Sequence, residues 1–306
     1  MDYIQFSFMQ KNREVRWERM FPNELEAAFA ACPLVFMPYG ICEPHGPQNA
    51  VGLDGLKAHG ICCATARKYG GIVAPTDYWH VHECGGYAVW AHENIGERQP
   101  WLTAVPPWIH FKNVCYHLRA LDAAGFHAAI LLTGHYGANW KDLKTLVKIL
   151  QPHFAMRIYD LPDFEANETG FGDGGPNLDH AGRVETSQLM ALEPSCVDMS
   201  LMPPKDQKGS HFAMGSTAYE ANLNVGQRMV CDQIEWLGEK MKELLLEYDE
   251  LKPGTRQPLS FEKIERLWTD EVLPQLPNFH SMQLQFADQQ TAPPVDSRWH
   301  LNWRVS

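Results

Sequence analysis

Leu34 to Tyr39 (LVFMPY) is an apolar run without polar interruption that stops at Gly40, the pattern of a short strand buried on both faces and feeding a loop. Leu53 to Tyr69 changes to a helical period, with Leu56, Cys63 and Ala64 near one face, and Gly70-Gly71 ends it. Gly71 to Pro75 reads as a second strand, Pro107 to Ala124 as a helix stopped by Gly125, and His127 to Thr133 (HAAILLT) as the clearest buried strand of the chain. Lys141 to Leu150 is then a helix and Phe154 to Tyr159 a further strand. Tyr219 to Tyr248 has the apolar stripe of a long amphipathic helix (Met229, Ile234, Leu237, Met241, Leu244, Leu245).

Strands alternating with helices imply βαβ units, right-handed crossovers and a parallel sheet covered on both faces. In such sheets ligands bind beyond the carboxyl ends of the strands. The polar segments after Tyr39, after Thr133 and around Asp179 are therefore expected to converge. Two stretches break the alternation. An aromatic-rich insert at about 78–107 carries Trp79, His80, His82, Trp90, His92 and Trp101, and loops of that length in compact domains usually serve as lids or interfaces. A C-terminal extension at about 251–306 ends in a Pro-, Gln- and aromatic-rich tail expected to pack on the core or on another subunit. The whole chain, 1–306, reads as one domain carrying these two decorations.

Composition narrows the function. A net charge of −11 disfavours nucleic acid and anionic membrane surfaces, both of which need clustered Lys and Arg. No apolar run is long enough to span a bilayer and the N-terminus lacks the order of a signal peptide, so a cytoplasmic location is expected. The eight cysteines are scattered without a C-x-x-C, and Ile61-Cys62-Cys63-Ala64 places two of them in an apolar run, as buried thiols rather than disulfides or zinc ligands. Cys42 stands apart because it adjoins Glu43.

Three segments carry candidate chemistry. In Gly40 to Asp54, Glu43 and His45 point to one side of an extended chain, and Gly46-Pro47 turns it so that Asp54 returns at a helix start. Imidazole and carboxylates suit Zn, Mn or Fe, although a polar loop closed by a salt bridge has the same spacing. In Thr133 to Asn139, His135 projects from the end of the best strand between glycines, and Asn139 is placed to cap the next helix. In Asp179 to Ser187, His180 and Glu185 open a helix, where charged residues often only offset the helix dipole.

Together the three resemble the motifs of the creatininase (creatinine amidohydrolase) family. The family's Glu-x-His-Gly-Pro and its following Asp fall on Glu43, His45 and Asp54. Its Asn-Gly-His-Gly-Gly-Asn is similar to Thr133 to Asn139, and its His-Ala-Gly-x-x-Glu-Thr-Ser is reproduced by His180 to Ser187. Trp17 and Glu18 are similar to an element preceding the family's first strand. The resemblance implies a three-layer α/β/α sandwich with a mostly parallel central sheet, commonly assembled as a homohexamer. It implies two divalent metal ions per subunit (Zn or Mn, sometimes Fe), held by Glu43, His45, Asp54, His135 and Glu185 with Asp54 bridging. His180 would move the proton beside Glu185, while Trp79, His80, His82 and Tyr136 are candidates to line a small-molecule pocket.

The departures are specific. True creatininases resemble Gly-His-Tyr-Glu-Asn at the second motif and use that Glu on a metal; this chain has Gly137-Ala138, which leaves Glu185 as the remaining carboxylate ligand beside Glu43 and Asp54. The expected function is hydrolysis of a small cyclic amide, creatinine-like, by attack of a metal-activated hydroxide on its carbonyl. The alternatives are ring-opening of a cyclic polyol ketone of the inosose type and a metal-binding scaffold without catalysis. A nucleotide enzyme of the Rossmann type is excluded by the missing glycine-rich turn after the first strand.

Overall fold

The computed structural model describes residues 13–82, 101–135, 139–167, 179–205, 213–214, 217–254 and 257–282. Helix α1 (Pro22–Ala31) leads into strand β1 (Leu34–Tyr39), α2 (Leu53–Tyr69) and β2 (Ile72–Val73). Helix α3 (Pro107–Ala123), β3 (Ala128–Thr133), α4 (Asn139–Leu150) and β4 (Arg157–Pro162) follow. The described chain closes with α5 (Arg183–Leu192), α6 (Leu223–Leu251) and α7 (Phe261–Leu267). The sheet runs β2-β1-β3-β4 with every pair parallel.

Each strand serves two cores, which is why its apolar run is continuous rather than alternating. Val35, Met37, Ala129 and Leu131 pack on one face with Phe111 and Leu118 of α3 and Leu143 and Leu146 of α4. Leu34, Phe36, Ile130 and Leu132 pack on the other with Ile61 and Cys62 of α2 and Leu237 and Met241 of α6. The result is the three-layer α/β/α sandwich the sequence implied. Each of these fully buried aliphatic side chains stabilises the fold by roughly 1.5–3 kcal/mol. No described helix is long and apolar enough to cross a membrane.

Several boundaries differ from expectation. The fourth strand is Arg157–Pro162, not Phe154 to Tyr159. Gln151 folds the preceding segment into a turn, donating from Nε2 to the Phe154 and Met156 carbonyls, so these apolar residues reach the core from a loop. Strand pairing starts only where Arg157 N–H donates to His127 O at 2.8 Å. Asn139 is the first residue of α4, buried, rather than a cap outside it. Asn222 caps α6 by accepting from Asn224 and Val225, which delays the helix start from Tyr219 to Leu223. Helix α1, whose first turn is closed by Glu24 accepting from Phe21 N–H, was not anticipated, nor was α7. Ile264 and Leu267 of α7, with Leu276 and Phe279 beyond it, join the first core. Cys84, Trp90 and His92 lie outside the described residues, as does 283–306 of the C-terminal extension.

Candidate metal centre

Strands β1 and β3 are adjacent and in register from Leu34↔Ala128 to Tyr39↔Thr133, so their carboxyl ends deliver two loops to one place. The first turn of α2 fits between these loops because two neighbours are glycines. A Cβ on Gly40 would stand 2.2 Å from Gly55 N, and one on Gly134 would stand 2.1 Å from Asp54 O. Asp54 therefore sits at a helix N-terminus, where the dipole favours a carboxylate, pressed between both strand ends. The amino end of α5 closes the site. Asn49 Nδ2 donates to His45 O and to Thr186 Oγ1, and Gln48 Nε2 donates to Ala181 O, tying the β1 loop to that helix.

Glu43, His45, Asp54, His135, His180 and Glu185 are all buried and meet here. His135 Nδ1 lies 3.0 Å from both Glu43 Oε1 and Asp54 Oδ2. His45 Nε2 lies 3.1 Å from Asp54 Oδ1 and 3.7 Å from Glu185 Oε2. Asp54 thus divides its two oxygens between two donor groups, Glu43–Asp54–His135 and His45–Asp54–Glu185, each compact enough to hold a cation. His45 Nδ1–H donates to Glu43 O at 3.0 Å, which fixes the tautomer and turns Nε2 toward the carboxylates. His180 stacks on His45 with ring centroids 4.3 Å apart. Its Nε2–H donates to Pro44 O at 2.8 Å, which leaves Nδ1 as the basic nitrogen, 4.0 Å from Glu43 Oε1.

The electrostatics favour positive charge in this cluster. Burial alone would push His45 down, but Asp54, Glu185 and Glu43 outweigh it and hold His45 up at about 9. Burial would raise Asp54, yet His45 and His135 bring it down to about 2. Glu43 lies well below the ordinary carboxylate range, its burial overcome by His82, His135 and His180. Glu43 Oε1, His45 Nε2 and Asp54 Oδ1 are buried without a hydrogen bond. An unmet buried polar atom costs about 1–3 kcal/mol, and a divalent cation among these three would use their lone pairs. The donor set fits a metal.

The other sequence candidates separate. His82 is buried and its Nε2–H donates to Glu43 Oε2 at 2.7 Å. His80 is buried behind His135, ring centroids 5.3 Å apart, and accepts from Val81 N–H through Nδ1. Trp79 is not brought to the donors; it is 57% exposed and lines a surface groove with Trp17, Met37, Val105 and His117. Tyr136 lies outside the described residues. Cys42 is half-buried, with its thiol pushed up by burial. Asp179 accepts from the Val184 and Glu185 amides and so caps α5, while burial and then Glu185 push it up to about 7. Sequence reasoning missed Lys57, fully buried on α2, and Asp163 beyond β4, whose carboxylate lies 3.1 Å from Lys57 Nζ. The available signal was a lysine one helical turn after Asp54, on the face that buries Ala58 and Ile61.

Fold and site together define an α/β sandwich with a cation-suited donor cluster at the carboxyl edge of its sheet. The family model for creatininase, described as creatinine amidohydrolase, matches residues 18–232, and the chain belongs to this family of hydrolases. It is 25% identical over 203 residues to a creatinine amidohydrolase of Pseudomonas putida, covering 61% of this chain and 73% of that one. Among solved structures, creatinine amidohydrolase (creatininase) superposes with a TM-score of 0.59 at 19% identity, covering 79% of this chain and 100% of that one. A creatininase point mutant complexed with creatine gives 0.58 at 20% identity, covering 76% of this chain and 98% of that one. A manganese form of creatininase gives 0.57 at 20% identity with the same coverage, 76% and 98%. These likenesses establish the shared fold.

Proposed function

We propose that the chain is a hydrolase with two divalent cations, one between Glu43, Asp54 and His135 and one between Asp54, His45 and Glu185. It acts on the carbonyl of a small cyclic amide. The observation that carries this reading is Asp54, whose Oδ2 faces His135 Nδ1 at 3.0 Å and whose Oδ1 faces His45 Nε2 at 3.1 Å. When bound, zinc or manganese in such a pair polarises a carbonyl and lowers the pKa of a water toward neutrality. The manganese and zinc forms among the creatininases of the same fold support these two metals over iron. His180, held through Nε2 by Pro44 O, carries the reaction's proton on Nδ1 from the attacking water to the departing nitrogen. Glu185 acts beside it, with Oε2 fixed by the Ala181 amide at 2.7 Å. His82 supports the ligand Glu43 and His80 stands behind His135, so both serve the ligands more directly than a substrate.

A cyclic amide is favoured because the relatives are creatinine amidohydrolases and one solved neighbour holds creatine. One observation favours a second substrate, a cyclic polyol ketone opened by the same attack. Where the creatininase pattern has a metal-binding Glu, this chain has Gly137-Ala138, so it does not carry the full ligand pattern of the true creatininases.

The test is metal analysis of the purified protein, followed by turnover of creatinine, other cyclic amides and inosose-type ketones before and after chelation. About two equivalents of Zn or Mn per chain, with chelator-sensitive hydrolysis of a cyclic amide, is the expected result. Ketone turnover alone selects the second substrate, and bound metal without any turnover makes the chain a scaffold. Less than about one equivalent after Zn or Mn addition overturns the metal reading.

A further inference from the structure

Lys57 is fully buried on α2, one turn beyond Asp54, so the same helix face presents an anion and a cation to the centre. Its Nζ lies 3.3 Å from Glu185 Oε1 and 3.1 Å from Asp163 Oδ2. Glu185 is thereby held at both oxygens. Oε1 is drawn back by Lys57, while Oε2 accepts from Ala181 N–H at 2.7 Å and looks toward His45 Nε2 at 3.7 Å. Glu43 is treated alike on the opposite side, since His82 holds Oε2 and leaves Oε1 to the donors. A buried ammonium is costly unless paired, and Asp163, itself buried and reached from the loop after β4, compensates Lys57 so that Glu185 keeps its negative charge for the cation site.

We propose that Lys57, charge-compensated by Asp163, is a positioning residue that restricts Glu185 to one metal-facing oxygen and so sets the affinity of the His45–Asp54–Glu185 half of the centre. This rests on the two-cation reading above. The half formed by Glu43, Asp54 and His135 does not touch Lys57 through Glu185, so loss of the lysine acts on one half more than the other. A role in fold stability alone would weaken both halves together or neither.

The experiment is a two-site Mn²⁺ titration of the metal-stripped full chain, followed by calorimetry and by a chromophoric chelator, with Lys57→Met and Lys57→Met/Asp163→Leu. The single variant leaves Asp163 buried and uncompensated, so it is expected to lose stability; the double variant removes the pair as a unit and keeps the volume apolar. In the double variant one Mn²⁺ site is expected to weaken by about 10- to 100-fold while the other changes by less than about threefold. Two unchanged sites, or two sites weakened alike, overturn the proposal. A double variant that fails to fold also overturns it, because the pair then serves the fold. If the unsubstituted chain binds no Mn²⁺ or Zn²⁺, it is the two-cation reading that has failed, which the same titration distinguishes.

Discussion

His82 Nε2 lies 2.7 Å from Glu43 Oε2, and both side chains are buried. The bond turns Glu43 so that Oε1 faces His135 at 3.0 Å. An imidazole from the start of the aromatic insert thus orients a carboxylate from the β1 loop. His82→Ala is expected to lower divalent-metal affinity about 10- to 100-fold while the chain stays folded. His82→Gln, which keeps a donor, should recover part of the loss. Competition with a metallochromic chelator reads both, and an affinity within about twofold of the parent in His82→Ala would show that Glu43 is oriented without it.

Asp54 belongs to both the Glu43–Asp54–His135 and the His45–Asp54–Glu185 donor groups, while Glu43 is shared with a third, Glu43–His45–His180. Asp54→Asn removes charge from the first two at once: buried His45 loses its nearest anion, and His135 loses one of the two carboxylates 3.0 Å from its Nδ1. Both metals should be lost and turnover should fall by about 10³-fold or more, since metal polarisation of a carbonyl contributes several kcal/mol. Metal analysis and steady-state rates check this. Retention of both metals would mean Asp54 does not bridge.

How legible this was depended on how local each signal is. Leu34–Tyr39 and Ala128–Thr133 could be read because strands buried on both faces need every residue apolar. A strand was legible near Arg157–Pro162 but its bounds were not, because it is the last strand in the sheet order and carries Arg157, Tyr159 and Asp160, while Phe154 and Met156 beside it are apolar for a different reason. Spacing made Glu43, His45 and Asp54 candidates, and a charged helix start did so for Glu185, but only the resemblance to the creatininase motifs implied them as donors. Lys57 with Asp163 did not, since an ion pair between α2 and the loop after β4 leaves no local pattern. Trp79 shared a segment with His82 but not a destination: backbone contacts of the insert, such as Val105 N–H to His80 O, leave the indole outward while His82 turns in.

The close approach of Gly134 to Asp54 gives a stability prediction. An added Cβ would lie 2.1 Å from the Asp54 carbonyl oxygen, a backbone atom that cannot rotate away. Gly134→Ala should destabilise the chain by about 1–3 kcal/mol and move Asp54, so that metal affinity falls with stability. Gly254→Ala, where nothing lies within 4 Å, is the control and should change stability by less than about 0.5 kcal/mol. Urea midpoints measure both, and equal midpoints would mean the α2 turn yields freely.

Asp160 sets a pH dependence away from the centre. It is buried on β4, its Oδ2 makes no hydrogen bond, and its pKa is pushed up to about 7. Burial is the main cause; Lys144 opposes it and Glu165 adds to it, while Lys144 Nζ donates to the Asp160 carbonyl rather than to the carboxylate. In the unfolded chain the carboxyl returns to about 3.8. Between these two values the folded state holds a proton that the unfolded state has released, so stability falls as pH rises from about 4 to about 7. The loss attributable to this group is on the order of 2–4 kcal/mol, complete above the folded pKa and absent below the unfolded one. Asp160→Asn cannot ionise. It should therefore match the parent near pH 4 and exceed its stability at pH 8, with the difference opening across that window. Urea unfolding of both proteins at several pH values isolates the group, because the remaining carboxylates titrate in each. A difference that stays constant with pH would mean that Asp160 is ionised in the folded chain.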